Sequence, residues 1–372
     1  MTNQDILDVL STVRYPGNGK SIVENNMVDD IKVDGQNVSF TLFFDRSTDP
    51  FAKSVVRMAE TAVQTKFGKD VEVNVELKFR QEAPVAAPQR PILPGVKNII
   101  GISSGKGGVG KSTVAANVAI ALAAQGYKVG LLDADIFGPS MPRMFGVEDE
   151  SIYMINRDGK DWIEPIEKYG VKMLSIGFLV AKENAVVWRG SMASNALRQL
   201  ITDAWWGDLD YFLIDMPPGT SDIHLTLVQT LPITGVVIVT TPQEVALADA
   251  RKGVAMFTDE KINVPVLGIV ENMAWFTPAA HPDEKYFIFG KDGGLELAKK
   301  LNVKLLAQIP LVAGICEKAD NGEPSAAQLT DPEKEIMGAD ALAFSILADS
   351  IVEQCCLRNE SLPPTKKVEV KK

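Results

Sequence analysis

"SSGKGGVGKST", residues 103–113, decides the fold. Gly105, Gly110, Lys111 and Ser112 stand at the G-x-x-x-x-G-K-[ST] spacing of a phosphate-binding loop. Gly105, Gly107, Gly108 and Gly110 let the N–H groups of the loop, through Val109 and Thr113, converge on phosphate oxygens. Lys111 would reach the β- and γ-phosphates of a bound ATP, and the Ser112 hydroxyl would ligand Mg²⁺. The context suits the motif: "NIIGIS" reads as a strand feeding the turn, and "STVAANVAIALAAQG" as a helix leaving it. Lys106 is left over, because the phosphate loop needs only one lysine.

Outward from this loop, short apolar runs recur at "VKNIIGIS", "YKVGLLD", "VKMLSIG", "YFLIDM", "GVVIVTT", "VLGIVEN" and "KLLAQIP". Most are continuous and rich in β-branched residues, as strands buried on both faces are. Helical stretches such as 112–125 and 191–205 lie between them, so the pattern predicts an α/β fold with a mostly parallel, doubly wound sheet. Ligands of such sheets bind beyond the carboxyl ends of the strands.

A different pattern precedes it. Residues 1–80 read α-β-β-α-β, a small α+β unit. "QDILDVLSTV" carries Ile6, Leu7, Leu10 and Val13 at helical spacing, and Asp34-Gly35 suits a tight hairpin. "PFAKSVVRMAETAVQTKFG" places Phe51, Val55, Met58, Ala62 and Val63 on one face, and "VEVNVELKF" alternates as a half-buried strand. Four prolines in residues 81–95 predict a semi-rigid linker. The phosphate-binding domain is expected over 96–358, and "PPTKKVEVKK" closes a polar basic tail over 359–372.

Composition narrows the function. A formal charge of −10 argues against general affinity for nucleic acid. No apolar run reaches membrane-spanning length, and the tail lacks the apolar surface of a membrane-binding helix. The polar N-terminus is unlike a signal peptide, and three cysteines make no disulfide framework, so a cytoplasmic protein is expected. Two histidines, His224 and His281, are too few for a histidine-rich metal site.

Acids arrive where a magnesium–phosphate site needs them, at strand ends: Asp133 and Asp135 in "GLLDADIFGPS", Asp215 in "DYFLIDMPPGTSD". Ser221, Asp222 and His224 fit a switch segment better than a hydrolase triad. Trp205 and Trp206 read as core or interface packing.

With Lys106 included, "KGGVGKST" resembles the deviant Walker A motif of dimerising ATPases, among them nitrogenase iron protein, chromosome-partition ATPases and septum-site regulators. "GKGGVGKST", "LLDADIFGPS", "WRGSMASNALRQL", "YFLIDMPPGTSD" and "GIVENMAWF" together resemble the Mrp branch, the iron–sulfur cluster carrier ATPases, over about residues 97–355. The order of elements in the first unit, with "STVRYPGNGKSIVENNMVDDIKV", resembles the small domain of iron–sulfur assembly factors. Tyr15-Pro16-Gly17 stands there in place of the usual Asp-Pro-Glu, and the unit has no cysteine.

The resemblance implies a homodimer that hydrolyses ATP slowly with Mg²⁺ and passes clusters between cluster-assembly proteins and apo iron–sulfur proteins. Lys106 would cross to the phosphates of the other subunit and Asp135 would position the attacking water. Asp133 would support the magnesium shell and Asp215 would be the Walker B acid. Gly219 would sense the γ-phosphate, with Pro218 and Asp135 in the switch segments, Asn272 would bond the adenine and Pro310 would pack near it. The resemblance also implies a Cys-x-x-Cys pair for a bridging [4Fe–4S] cluster, but "ENMAWFTPAAHPDEKYFIFG" has no cysteine. Cys316 is the remaining candidate ligand, with the Cys355-Cys356 pair near the end of a helix. A nucleotide-switched interaction or positioning ATPase that carries no cluster stays open beside the carrier reading.

Overall fold

The computed structural model describes residues 1–368 except 17, 47, 48, 50, 69, 82–91, 180–189, 279, 280, 282 and 332–336. Most of the expected linker, and Trp188 and Arg189 of the 188–200 stretch, fall outside the described residues. The chain divides into two units, Met1–Arg90 and Pro91–Lys372.

In the first unit the order is α1 (Asn3–Leu10), β1 (Val28–Asp34), β2 (Asn37–Arg46), α2 (Ala52–Phe67) and β3 (Glu72–Gln81), as expected from the pattern. Thr2 and Asp5 close a reciprocal capping box on α1. β1 and β2 pair antiparallel across a two-residue turn whose Gly35 has φ +62°, and β3 adds parallel to β2. The buried stripe of α2 is Ala52, Val55, Ala59 and Val63, so Val55 and Val63 face the core while Phe51 and Met58 are exposed.

The second unit opens with β4 (Val96–Ser104), α3 (Lys111–Ala124), β5 (Val129–Asp133) and α4 (Met141–Met144). β6 (Tyr153–Arg157), β7 (Lys160–Glu164), β8 (Ile166–Lys168) and β9 (Val171–Ser175) follow. Next come α5 (Gly190–Thr202), β10 (Leu209–Pro218), α6 (Asp222–Thr230), β11 (Gly235–Thr240) and α7 (Glu244–Thr258). β12 (Val266–Glu271), α8 (Gly293–Leu301), β13 (Leu305–Gln308), α9 (Ala313–Asp320) and α10 (Ala339–Ser361) complete it.

Eight strands form one sheet in the order β13-β12-β11-β4-β10-β5-β9-β8, parallel except for β8. α3 and α10 pack on one face, α5, α6, α7 and α8 on the other, which is the doubly wound arrangement. α3 is buried from Val114 to Leu122, so its apolar run is a core helix enclosed on all sides. Among the described residues no helix is long and apolar enough to cross a membrane.

Two features depart from the expected organisation. β6 and β7 form a separate hairpin, and Asp158 and Gly159 turn it with φ of +53° and +75°; this Asp-Gly signal lies in the sequence but is outweighed there by the surrounding α/β rhythm. The second unit's last helix runs past the expected boundary at 358, and the segment after it is held as far as Val368. α10 continues to Ser361, Arg358 donates to the Pro363 carbonyl at 2.7 Å, and the Val368 N–H bonds the Val228 carbonyl at 3.1 Å.

Candidate functional site

The site lies at the carboxyl ends of β4, β5 and β10, neighbours through the middle of the sheet. Register sets Asp215 beside Ile102 on one side and Asp133 on the other, so residues 82 positions apart end abreast. The loop leaving β4 is shaped by its glycines. A Cβ on Gly105 would meet the Asp249 carbonyl carbon at 2.1 Å, so the loop lies against the backbone of α7. Gly107 and Gly108 face open space, Gly108 has φ +82°, and Gly110, at φ +81°, starts α3. A chain turned this way presents successive N–H groups to an anion at the start of a helix.

Lys111 is 6% exposed and its Nζ lies 2.5 Å from Asp215 Oδ1, 3.3 Å from Ser112 Oγ and 3.6 Å from Asp135 Oδ2. Burial pushes the Asp215 carboxyl up, and the Lys111 ammonium and Ser112 hydroxyl draw it back down. Asp215 Oδ2 is buried without a hydrogen-bond partner among the described residues. An orphaned carboxylate oxygen beside a serine hydroxyl suits a divalent cation or its water, so Ser112 and Asp215 fit a metal.

Asp133 is held differently. It accepts from the Asp135 N–H at 3.2 Å, the Met141 N–H at 3.2 Å and Ser175 Oγ at 2.8 Å. Its oxygens therefore shape the loop that carries Asp135, and Ser175, to which nothing in the sequence points, completes the brace. Burial first, then the charge of Asp215, pushes Asp133 up to about 7.

Lys106 is half-buried, and its side chain has no hydrogen-bond or ion-pair partner among the described residues. Gly219, at φ +77°, donates its N–H to the Ser104 carbonyl at 2.9 Å, and Pro218 sits beside Ser104 in the strand register. Asn272 comes in from the end of β12: its Nδ2 donates to the Val109 carbonyl at 2.8 Å, bracing the phosphate loop from below. Glu271, the residue before it, is fully buried and accepts from the Gly294 N–H and from Gln308 Nε2. Pro310 lines a separate apolar groove of ≈ 550 Å³ with Trp275, Val312, Leu342 and Ile346.

His224 caps α6, accepting from the Ser221 N–H at 3.1 Å through Nδ1, while Nε2 is buried without a partner among the described residues. Burial chiefly, with the nearby Lys111 charge, holds its pKa down to about 4. A folded-state value below the ordinary 6.5 means that His224 favours the fold fully above about 6.5 and that this support is lost as pH falls toward 4. Between pH 7 and 5 the protein should therefore lose about 2 kcal/mol relative to His224→Gln. Urea unfolding of both at the two pH values reads this, and parallel curves would contradict it.

The cysteines do not assemble. Cys316 and Cys356 are exposed, whereas Cys355 is buried and its thiol pushed up to about 12, chiefly by burial. No group of three or more His, Cys, Asp or Glu among the described residues could hold a metal ion. The stretch that lacks the expected pair is closed by two backbone bonds between Phe276 and Tyr286, both 2.8 Å, with Lys285 over the Trp275 ring. His281 there lies 3.7 Å from Glu284. Trp206 is core, stacked edge-on against Phe212, and Trp205 packs on Trp162.

Known proteins are similar to this chain across both of its units. The family model for iron–sulfur cluster assembly proteins matches residues 3–75. An iron–sulfur cluster carrier protein of Synechocystis sp. is 46% identical over 354 residues, 92% of this chain and 99% of its own. One from Pseudomonas fragi is 53% identical over 71% of this chain and 88% of its own. The solved structure of a nucleotide-binding protein from Archaeoglobus fulgidus, in complex with ADP, is 37% identical with a TM-score of 0.54, covering 66% of this chain and 93% of that one. With the phosphate loop and the abreast carboxylates in place, the model described as NUBPL iron-transfer P-loop NTPase matches residues 95–346, and the chain belongs to that family.

Proposed function

We propose that this chain is an ATP-hydrolysing iron–sulfur cluster carrier that works as a homodimer and delivers clusters to apoproteins. The observation that carries the reading is the alignment, over 92% of the chain, with a relative named as a cluster carrier, through both the assembly-type unit and the phosphate site. In this reading the N–H groups of residues 107–112 and the Lys111 ammonium hold the phosphates. Ser112 and Asp215 would hold Mg²⁺, which would supply charge neutralisation to the phosphates. Asp135 orients the attacking water, Asp133 fixes the loop that carries Asp135, and Lys106 stabilises the transferring phosphoryl group across the dimer. Gly219 senses the γ-phosphate, with Pro218 beside it in the same switch. The Asn272 amide, tied to Val109 through its nitrogen, offers its oxygen to the adenine amino group, with Pro310 near the base.

The cluster is cargo, and its ligands are the part this chain supplies unusually. Of the three thiols, Cys355 is unsuited because burial holds it protonated; Cys316 and Cys356 are the exposed ones. Anaerobic reconstitution with iron and sulfide is expected to give protein that retains both and activates an apo iron–sulfur protein. The same measurement on Cys316→Ala decides whether that thiol shares in binding, since unchanged retention places the ligands elsewhere. Protein that retains neither iron nor sulfide and activates no target would leave the second reading, a nucleotide-switched interaction ATPase, which the missing Cys-x-x-Cys favours.

A further inference from the structure

The geometry points to Ser104 as the positioning residue that couples the phosphate sensor at Gly219 to the placement of Lys106. This rests on the proposed role of Lys106 across the dimer.

Ser104 ends β4, flanked in register by Pro218 of β10 and Val239 of β11, and is 1% exposed. It makes two bonds toward two different loops. Its carbonyl accepts the Gly219 N–H at 2.9 Å, and its hydroxyl donates to the Lys106 carbonyl at 2.9 Å. The junction between them has little room to give, because Gly105 is pressed on the backbone of α7 and its carbonyl lies 3.8 Å from where a Gly219 Cβ would stand. The Gly219 amide has one hydrogen. To bond a γ-phosphate oxygen it must leave the Ser104 carbonyl, and a buried carbonyl stripped of its donor is unfavourable. The sensor and the Lys106 peptide thus hang on one buried residue, and displacing the first changes the anchorage of the second. The phosphate cradle itself, residues 107–112, contacts Ser104 through neither bond, so the coupling acts on turnover and leaves affinity alone.

The experiment is steady-state ATP hydrolysis by full-length Ser104→Ala, Ser104→Thr and Lys106→Ala, each normalised to folded chain by its unfolding curve. Ser104→Ala is expected to lose about tenfold in kcat with KM within about twofold, the size of one hydrogen bond, and Ser104→Thr to recover most of it by restoring the hydroxyl. Unchanged kcat in Ser104→Ala while Lys106→Ala is inactive overturns the coupling and spares the lysine reading. A raised KM at constant kcat, or a loss that threonine does not repair, also overturns it. Parent-like turnover in Lys106→Ala removes the lysine reading, and the coupling with it.

Discussion

Lys106→Ala is expected to bind ATP within about threefold of the parent and to hydrolyse it about a thousandfold more slowly, the range of a phosphoryl-stabilising cation supplied from outside the site. Binding survives because the phosphates are held by other groups: the glycine-shaped backbone of the loop and Lys111, which is buried against Asp215. The Lys106 peptide is fixed by the Ser104 hydroxyl while its ammonium has no partner among the described residues, as suits a cation meant for another subunit. The trans arrangement has a direct signature. Mixing Lys106→Ala with Asp135→Ala creates dimers in which one site has both residues, and random pairing should restore about a quarter of parent turnover. Isothermal titration for binding and phosphate release for turnover read the two quantities. Equal turnover in Lys106→Ala and the parent would show a merely solvated lysine.

Lys111→Ala should do something different, lowering nucleotide affinity by about two to three orders of magnitude and destabilising the fold itself. Its ammonium lies 2.5 Å from one buried carboxylate and 3.6 Å from another, with Asp133 on the adjacent strand. Removing it strands that negative charge, and breaking a buried pair costs about 3–5 kcal/mol. The pH dependence has a definite sign. Burial already raises Asp215 and Asp133 above the ordinary carboxylate value of 3.8, and losing Lys111 raises Asp215 further. Groups whose folded-state value is raised support the fold below about 4 and lose that support as pH rises through the raised value. The variant should therefore fall furthest below the parent at high pH and recover as pH falls, seen as a narrowing gap between parent and variant urea curves. A constant gap would mean that the stranded carboxylates do not titrate, and retained ATP affinity would remove Lys111 from the phosphate site.

Much of the fold is legible because its signals are local. All seven apolar runs in the second unit became strands of the large sheet, since continuous β-branched segments between helical stretches have few other ways to be buried. Inside the small unit the order of elements was readable, but the face of α2 only in part: Met58 is as apolar as its neighbours, yet Val55, Ala59 and Val63 are buried and Met58 is exposed. The β6–β7 hairpin rested on a two-residue signal within a long α/β stretch. Ser175 and Ser104 bear on the site through hydrogen bonds that no spacing announces.

The sequence by itself determined the phosphate loop, the parallel sheet behind it, the division into two units and the absence of the expected cysteine pair, because each is written in contiguous residues. Tertiary structure alone decided that Asp133 and Asp215 end abreast, that Lys111 is buried between Asp215 and Asp135, and that Asn272 braces Val109. It also decided that the Gly219 amide rests on the Ser104 carbonyl, and that Cys355 is sealed in the core while Cys356 is exposed. These depend on strand order, register and the packing of α7 and α10. Such terms are set by contacts between residues tens to hundreds of positions apart, and no local pattern carries them.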